Sequence, residues 1–308
     1  MTSPPTPLER EIVAAIERGG PITFRDFMQT ALYDVRHGYY NTERPKIGPG
    51  GDYYTSSNVH PAFGAILARC LVDLWFESQQ SPLTLVEMGA GTGRLALDIL
   101  TALGEEHEAL AAEARYIIVE TSPVMIALQR ERLAAFEDRV EWRSLEEIQN
   151  APLRSIFFSN ELVDALPVHR VRLNGSRLEE MYITTGSHET GEPKRLRFVW
   201  SAPSTEKLSE YLDLMQVRLS KMQEVEIGLD AIEWLAHVAR AIERGFLITT
   251  DYGDIASHLY SQNRMKGTIR SFYSHRLADT PFDMVGERDI TASVNFTALI
   301  EYGRRLGL

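Results

Sequence analysis

The sequence predicts an α/β protein: a Rossmann-like parallel sheet, preceded by an N-terminal helical cap and carrying an α+β insertion after its fourth strand. Three observations lead there. Residues 83–98 read as a buried strand, a glycine turn and a helix start; apolar strands then alternate with helical patterns at similar spacing; and that rhythm is broken once, between 168 and 226. Alternating strands and helices give a parallel sheet with right-handed crossovers. The division expected is a cap over 1–82, a core over 83–167 and 227–308, and a hairpin-plus-helix insertion over 168–226.

In chain order, Thr6-Pro7-Leu8-Glu9 combines a capping box with proline at the first helical position, and Gly19-Gly20 supplies the stop, so a helix spans 7–18. A second helix runs from Ile22 to Leu32, begun near Thr23. The Gly/Pro/Tyr-rich segment from Gly38 to Asn58 is too aromatic for a plain linker and reads as an ordered loop near a ligand. A helix from Pro61 to Phe76 places the single cysteine, Cys70, in an apolar run, where a buried thiol is expected.

Leu83, Leu85, Val86 and Met88 form strand one, apolar on both faces as a covered parallel strand is. Gly89, Gly91 and Gly93 follow at alternate positions, and Leu95, Leu97, Ile99, Leu100 and Leu103 continue as a helix. Strand two is Tyr116–Val119 with Glu120 at its end. Ser122-Pro123 opens a helix to about Phe136 with Met125, Leu128 and Leu133 inward. Val140–Ser144 is strand three, Leu145–Ile148 a short helix, and Ser155–Ser159 strand four, which runs into Asn160-Glu161 and Asp164.

The insertion holds two alternating strands around Asn174-Gly175, a strong hairpin signal. A third strand covers Arg195 to Trp200, and a helix has Leu208, Leu212, Met215, Leu219 and Met222 on its packing face. A helix from Leu229 to Ile242 and strand five, Gly245 to Gly253 with Asp251 near its tip, resume the core. Past Gly253 the pattern is mostly irregular until a final helix, Phe296–Leu306.

Composition narrows the function. The chain has 308 residues, 44% apolar, and a formal charge of −11, which argues against a nucleic-acid partner. One cysteine excludes a disulfide framework, and no Cys/His spacing suggests a metal. The N-terminus lacks a signal-peptide core, Glu9 and Glu11 argue against a transit peptide, and no stretch reaches the ~20 apolar residues of a membrane span, so a cytoplasmic setting is expected. His60, His169 and His275 show no triad or metal pattern and read as structural. No Gly-x-Ser-x-Gly elbow or Walker lysine is present.

Which ligand the glycine turn takes depends on its neighbours. A dinucleotide pattern fits Gly91, Gly93 and Ala96, leaving a nicotinamide or flavin oxidoreductase open. Glu87, two residues before Gly89, would repel a pyrophosphate but suits an ammonium, such as the methionine end of S-adenosylmethionine. Glu120 could accept hydrogen bonds from ribose hydroxyls, although it lies 27 residues beyond Gly93, more than the roughly 20 expected. Methyl transfer is an in-line displacement that needs positioning above all. Glu161, Asp164 and Asp251 sit at or after strand ends, where acids orient a cationic acceptor or cap a helix. Asn160 both donates and accepts.

Gly38-Tyr-Tyr, Gly51-Asp-Tyr-Tyr-Thr-Ser-Ser, the Glu87–Gly93 motif, Asn160-Glu-Leu-Val-Asp-Ala-Leu-Pro, Asp251-Tyr-Gly, Thr268-Ile-Arg and Asp289-Ile-Thr occur in the order found in one family. From about residue 30 to 308 the chain resembles the class I S-adenosylmethionine-dependent methyltransferases that include the mitochondrial complex I assembly arginine methyltransferase, also called the mitochondrial dysfunction protein A family, as a bacterial-type member. The resemblance implies S-adenosylmethionine as cofactor and an arginine-directed protein methyltransferase whose mitochondrial members modify a respiratory complex subunit. It implies cofactor roles for Glu87, Gly89, Gly91, Gly93, Glu120, Asp52 and Thr55, and substrate-side roles for Asn160, Glu161 and Asp164. Several positions depart: Ser57-Asn58 stands where the family often has Pro-Glu, Phe272 where it has a tyrosine and Asn295 where it has an aspartate. The strand pair that closes the family's sheet is not found before Leu308. A non-enzymatic assembly protein that keeps the cofactor fold is the alternative of a different class.

Overall fold

A computed structural model describes residues 4–42, 60–78, 82–186, 194–273, 276–277 and 280–308. The chain forms two compact units, one of Glu43–Val163, Trp234–Asp251 and Gly303–Leu308, the other of Met1–Thr42, Asp164–Glu233 and Tyr252–Tyr302. The N-terminal helices therefore group with the insertion and with the segment after strand five.

The first unit is built on five parallel strands, β1 (Thr84–Met88), β2 (Arg115–Val119), β3 (Val140–Trp142), β4 (Leu153–Asn160) and β5 (Ile242–Thr250), in the spatial order β5-β4-β1-β2-β3. Both faces are covered, which is why the strands are apolar throughout. Leu85, Tyr116, Ile118, Ile156 and Phe158 pack with the helices Ala62–Ser78 and Arg94–Glu106. Val86, Met88, Ile117, Val119 and Phe157 pack with Ile148, Val238 and Ala241 on the opposite face. The order reverses at β1, so β1 and β4 flank the topological switch point, where open α/β sheets bind ligands beyond their carboxyl ends.

The helix Ala62–Ser78 lies close against Arg94–Glu106, since a Cβ on Gly64 would come within 2.5 Å of Asp98 Cβ. That helix buries Gly64, Ala68, Leu71 and Val72. Cys70 lies off this stripe and is exposed, correcting the expectation of a buried thiol. Likewise the helix Pro123–Arg132 buries Met125 and Gln129, while Leu128 is 43% exposed and points away from the core.

In the second unit the insertion forms an antiparallel sheet. His169–Asn174 pairs with Arg177–Gly186 across the Asn174-Gly175 turn, and Arg195–Ser201, Glu224–Ile227 and the two-residue strand Ile22–Thr23 complete it. The helix carrying Leu208 is shorter than its apolar stripe suggests, Lys207–Leu214. It ends in a Schellman motif: Gln216 takes φ 53°, its N–H bonds Asp213 O, and Val217 N–H bonds Leu212 O. Val217 and Leu219 still pack on the cluster of Leu208, Tyr211 and Leu212, whereas Met222 is 41% exposed. The stretch read as irregular contains short strands, Arg270–Tyr273 pairing with Arg276–Leu277 and Asp289–Thr291.

Several motif residues of this unit are structural. Tyr40 donates to Asp289 Oδ1 at 3.0 Å, Thr268 donates through N–H and Oγ1 to Glu226 Oε2, and Asn295 Nδ2 donates to Tyr211 at 2.8 Å. His169 Nδ1 lies 2.6 Å from Glu180 Oε1, whose other oxygen accepts from Ser204 N–H. Burial alone would raise the Glu180 carboxyl, but these partners outweigh it and hold it below the usual range. Replacing His169 with leucine strands a fully buried carboxylate. We expect His169→Leu to cost about 3 kcal/mol, read as a lowered midpoint in urea unfolding.

Candidate functional site

The carboxyl ends of β1, β2 and β4 carry the residues singled out in the sequence. After Met88 the chain takes three left-handed steps, Gly89 (φ 68°), Gly91 (φ 53°) and Gly93 (φ 75°), before entering the helix Arg94–Glu106. Only glycine holds such a conformation without strain. Space is also tight: an added Cβ would stand 2.7 Å from Leu162 Cδ1 at Gly89 and 3.3 Å from Gln129 at Gly93. The elbow thus exposes backbone at the positive end of a helix.

Glu87 shares a strand face with Leu85 and is 2% exposed. Tyr116, at the start of β2 and itself buried, donates its hydroxyl to Glu87 Oε2 at 2.7 Å. Burial pushes the Glu87 carboxyl up to about 7; the bond from Tyr116 opposes this, and the nearby charge of Glu120 adds to it. The two carboxyls therefore lie close enough to feel each other's charge. A buried carboxyl near neutrality is unstable alone and is stabilised by a cation set beside it.

Glu120 closes β2. Its Oε1 accepts from the N–H groups of Thr121 (2.8 Å) and Ser122 (2.9 Å), and Oε2 accepts from Gln129 Nε2 at 3.2 Å. Burial raises its carboxyl more than these donors lower it. Gln129, on the helix Pro123–Arg132, also donates to Gly91 O at 2.8 Å and accepts from Trp142 Nε1 at 2.8 Å. Nothing in the sequence pattern marked Gln129, a polar residue on an amphipathic helix that is in fact fully buried. Nor did it mark Tyr116, which reads as one more apolar strand residue.

At the end of β4, Asn160 Oδ1 is buried and has no hydrogen-bond partner among the described residues. Glu161 follows at φ 51°, a left-handed conformation rare for a side-chain-bearing residue, held by its N–H bonding Thr250 O at 2.9 Å. Asp251 Oδ2 accepts from Val163 N–H at 2.8 Å and so caps the turn after β4. Asp164, 9% exposed, belongs to the second unit, where its carbonyl accepts from Ala292 N–H. Asp52, Thr55 and His275 lie outside the described residues. Among the described residues no cluster of His, Cys, Asp or Glu could hold a metal ion, and no helix is long and apolar enough to cross a membrane.

A glycine elbow at the switch point, a buried acid on the strand before it and an acid at the end of the next strand are features of a nucleoside-binding α/β protein. The family described as "Putative S-adenosyl-L-methionine-dependent methyltransferase" matches residues 66–308, and the chain belongs to it. It is 29% identical over 94% of its length to the Drosophila melanogaster "Protein arginine methyltransferase NDUFAF7 homolog, mitochondrial", covering 68% of that protein. It is 26% identical over 96% of its length to human "Protein arginine methyltransferase NDUFAF7, mitochondrial", covering 69% of it. A crystal structure of a COG1565 superfamily member from Burkholderia thailandensis, bound to S-adenosyl-homocysteine, superposes with a TM-score of 0.86 at 28% identity, over all of this chain and 80% of that one. The cofactor is S-adenosylmethionine, and the nicotinamide or flavin alternative falls.

The residues present fit this cofactor. A left-handed backbone turn bare of side chains, a buried carboxyl pushed towards neutrality and a second acid with acceptor capacity remaining suit a nucleoside that carries an ammonium and ribose hydroxyls.

Proposed function

We infer that this methyltransferase acts on arginine side chains of a protein substrate, in the cytoplasm of a bacterial-type cell, with Glu87 and Glu120 holding the cofactor's ammonium and ribose. The observation that carries the arginine reading is Asn160 Oδ1, a buried acceptor without a donor beside the switch point. An unmade hydrogen bond there costs the folded protein free energy unless a ligand N–H completes it. A guanidinium brings several N–H donors and a charge that persists to a pKa above 12.

The bound cofactor supplies an electrophilic methyl group, which passes to an acceptor nitrogen as the carbon–sulfur bond breaks and a proton leaves that nitrogen. Asn160 accepts an N–H of the acceptor and fixes its plane; the Glu161 carboxylate offsets the guanidinium charge and offers a destination for the released proton. The left-handed backbone at Glu161 aims its side chain differently from a continuing strand, and such strain gathers at sites where geometry matters. The names of the Drosophila and human relatives support the same acceptor.

Incubating the purified chain with isotopically labelled S-adenosylmethionine and a proteome extract from a strain lacking its gene, followed by mass spectrometry, tests this. Label on arginine of one or a few proteins is expected. Label confined to lysine, carboxyl or hydroxyl groups would overturn the acceptor while leaving the cofactor site intact.

A further inference from the structure

We propose that the second unit carries a docking surface for an acidic segment of a partner protein, formed where the end of the insertion's hairpin meets two loops. Residues 169–178, 214–223 and 255–267 hold seven Lys and Arg and no Asp or Glu, in a chain where acids outnumber these cations 43 to 32. The backbone brings the three segments together. Met222 N–H bonds Leu173 O at 2.7 Å, beside a bridge between Leu173 and Lys221, and Glu224 N–H bonds Met265 O at 3.0 Å. The acids at the border are already engaged, Glu179 by Arg172 and Glu224 by Arg170 and Lys266. Arg177, Arg218, Lys221 and Arg264 are exposed and form no ion pair among the described residues. Between them stand two exposed methionines, Met222 and Met265, at 41% and 38%.

The surface is pinned from beneath. Gln223, with no exposed surface, has its Nε2 within hydrogen-bond reach of the carbonyls of Tyr260, Ser261 and Arg264, at 3.2, 2.9 and 3.2 Å, and its Oε1 accepts from Ser220 N–H at 2.9 Å. One buried amide thus ties the loop bearing Arg264 and Met265 to the loop bearing Lys221 and Met222, which lowers the ordering cost of binding. Met222 itself takes φ 63°, a left-handed conformation costly for a long side chain, and such strain gathers where a surface is used. Free cations beside exposed methionines fit carboxylates beside apolar side chains. Neither the stacking aromatics of a nucleic-acid groove nor the amphipathic helix of a membrane-surface segment is present among these residues. Such docking is independent of the acceptor chemistry.

The test is fluorescence anisotropy of a labelled peptide of alternating glutamate and leucine, titrated with the intact chain at low salt. Binding with a Kd on the order of 10 μM is expected, weakening severalfold as salt is raised. The combined variant Arg218→Glu, Lys221→Glu, Arg264→Glu should bind at least about tenfold more weakly. Three reversals at exposed cations elsewhere, Arg18→Glu, Arg115→Glu and Arg197→Glu, change the net charge equally and should cost less than about threefold. Met222→Asn with Met265→Asn, asparagine tolerating the left-handed turn, should lose about fivefold on this peptide and less than about twofold on one with alanine in place of leucine. Should the charge variant fold poorly, the methionine pair carries the test alone. Equal losses from the two sets of reversals, methionine losses that ignore the leucines, or no binding at all would overturn the proposal. So would a surface that binds phosphatidylserine vesicles or a single-stranded oligonucleotide more tightly than the peptide.

Discussion

Replacing Glu87 with glutamine is expected to make the unliganded protein more stable and unable to hold its cofactor. The carboxyl has a pKa of about 7 in the folded chain against a usual 4.5, so the folded state binds this proton more tightly than the unfolded state does. Stability from the group is fully present below about pH 4.5 and is lost as pH rises through 7. The difference corresponds to about 3 kcal/mol at pH 8. Glutamine keeps the size, stays neutral, and can still accept from Tyr116. Thermal unfolding should show Glu87→Gln melting several degrees higher than wild type at pH 8 and level with it near pH 4. Cofactor affinity should move oppositely: an ammonium needs the ionised carboxylate, so wild-type binding strengthens as pH rises through 7, and the variant loses that dependence. Equal melting of the two proteins at pH 8 would contradict a buried, destabilising charge.

Asn160→Ala should separate chemistry from folding in the same way at the other strand of the switch point. Because Oδ1 is already without a donor, the folded protein already carries the cost of its desolvation, about 1–3 kcal/mol. Deleting the amide therefore leaves the melting temperature unchanged or slightly raised. Binding of S-adenosyl-homocysteine should change less than about twofold, while kcat on an arginine peptide falls about a hundredfold, the scale of losing one oriented polar group at the reacting centre. An intact kcat, or a large loss of stability, would show that Asn160 serves the fold and not the acceptor. Glu87 and Asn160 are thus two local costs to stability, at the ends of β1 and β4.

The parallel sheet was legible because its signals are local. Apolar runs such as Leu83–Met88, caps such as Thr6 and Ser122, and the glycine turn each state their structure within a few residues, and the caps form the bonds their types imply. The acids at the strand ends were legible for the same reason, since a strand's end can be read from where its apolar run stops. What escaped depends on distant partners. Ile22–Thr23 is a strand only because Ile183 and Tyr182 lie beside it, and the pairing of Arg270–Tyr273 with Asp289–Thr291 has no local periodicity. Leu128 is as apolar as its neighbours, but the inward face of its helix is set by Gln129 reaching the glycine elbow. The helix after Leu208 stops at Leu214 although the apolar stripe runs on, because Gln216 turns left-handed without a glycine to announce it.

The most direct test of the account is calorimetric titration of the intact chain with S-adenosyl-homocysteine, wild type beside Glu87→Gln, at pH 6 and pH 8. One site is expected, tighter at pH 8 than at pH 6 in the wild type and severely weakened in the variant at both. Binding that ignores both the pH and the loss of Glu87 would contradict the assignment of the cofactor's cationic end to the acid beneath the glycine elbow.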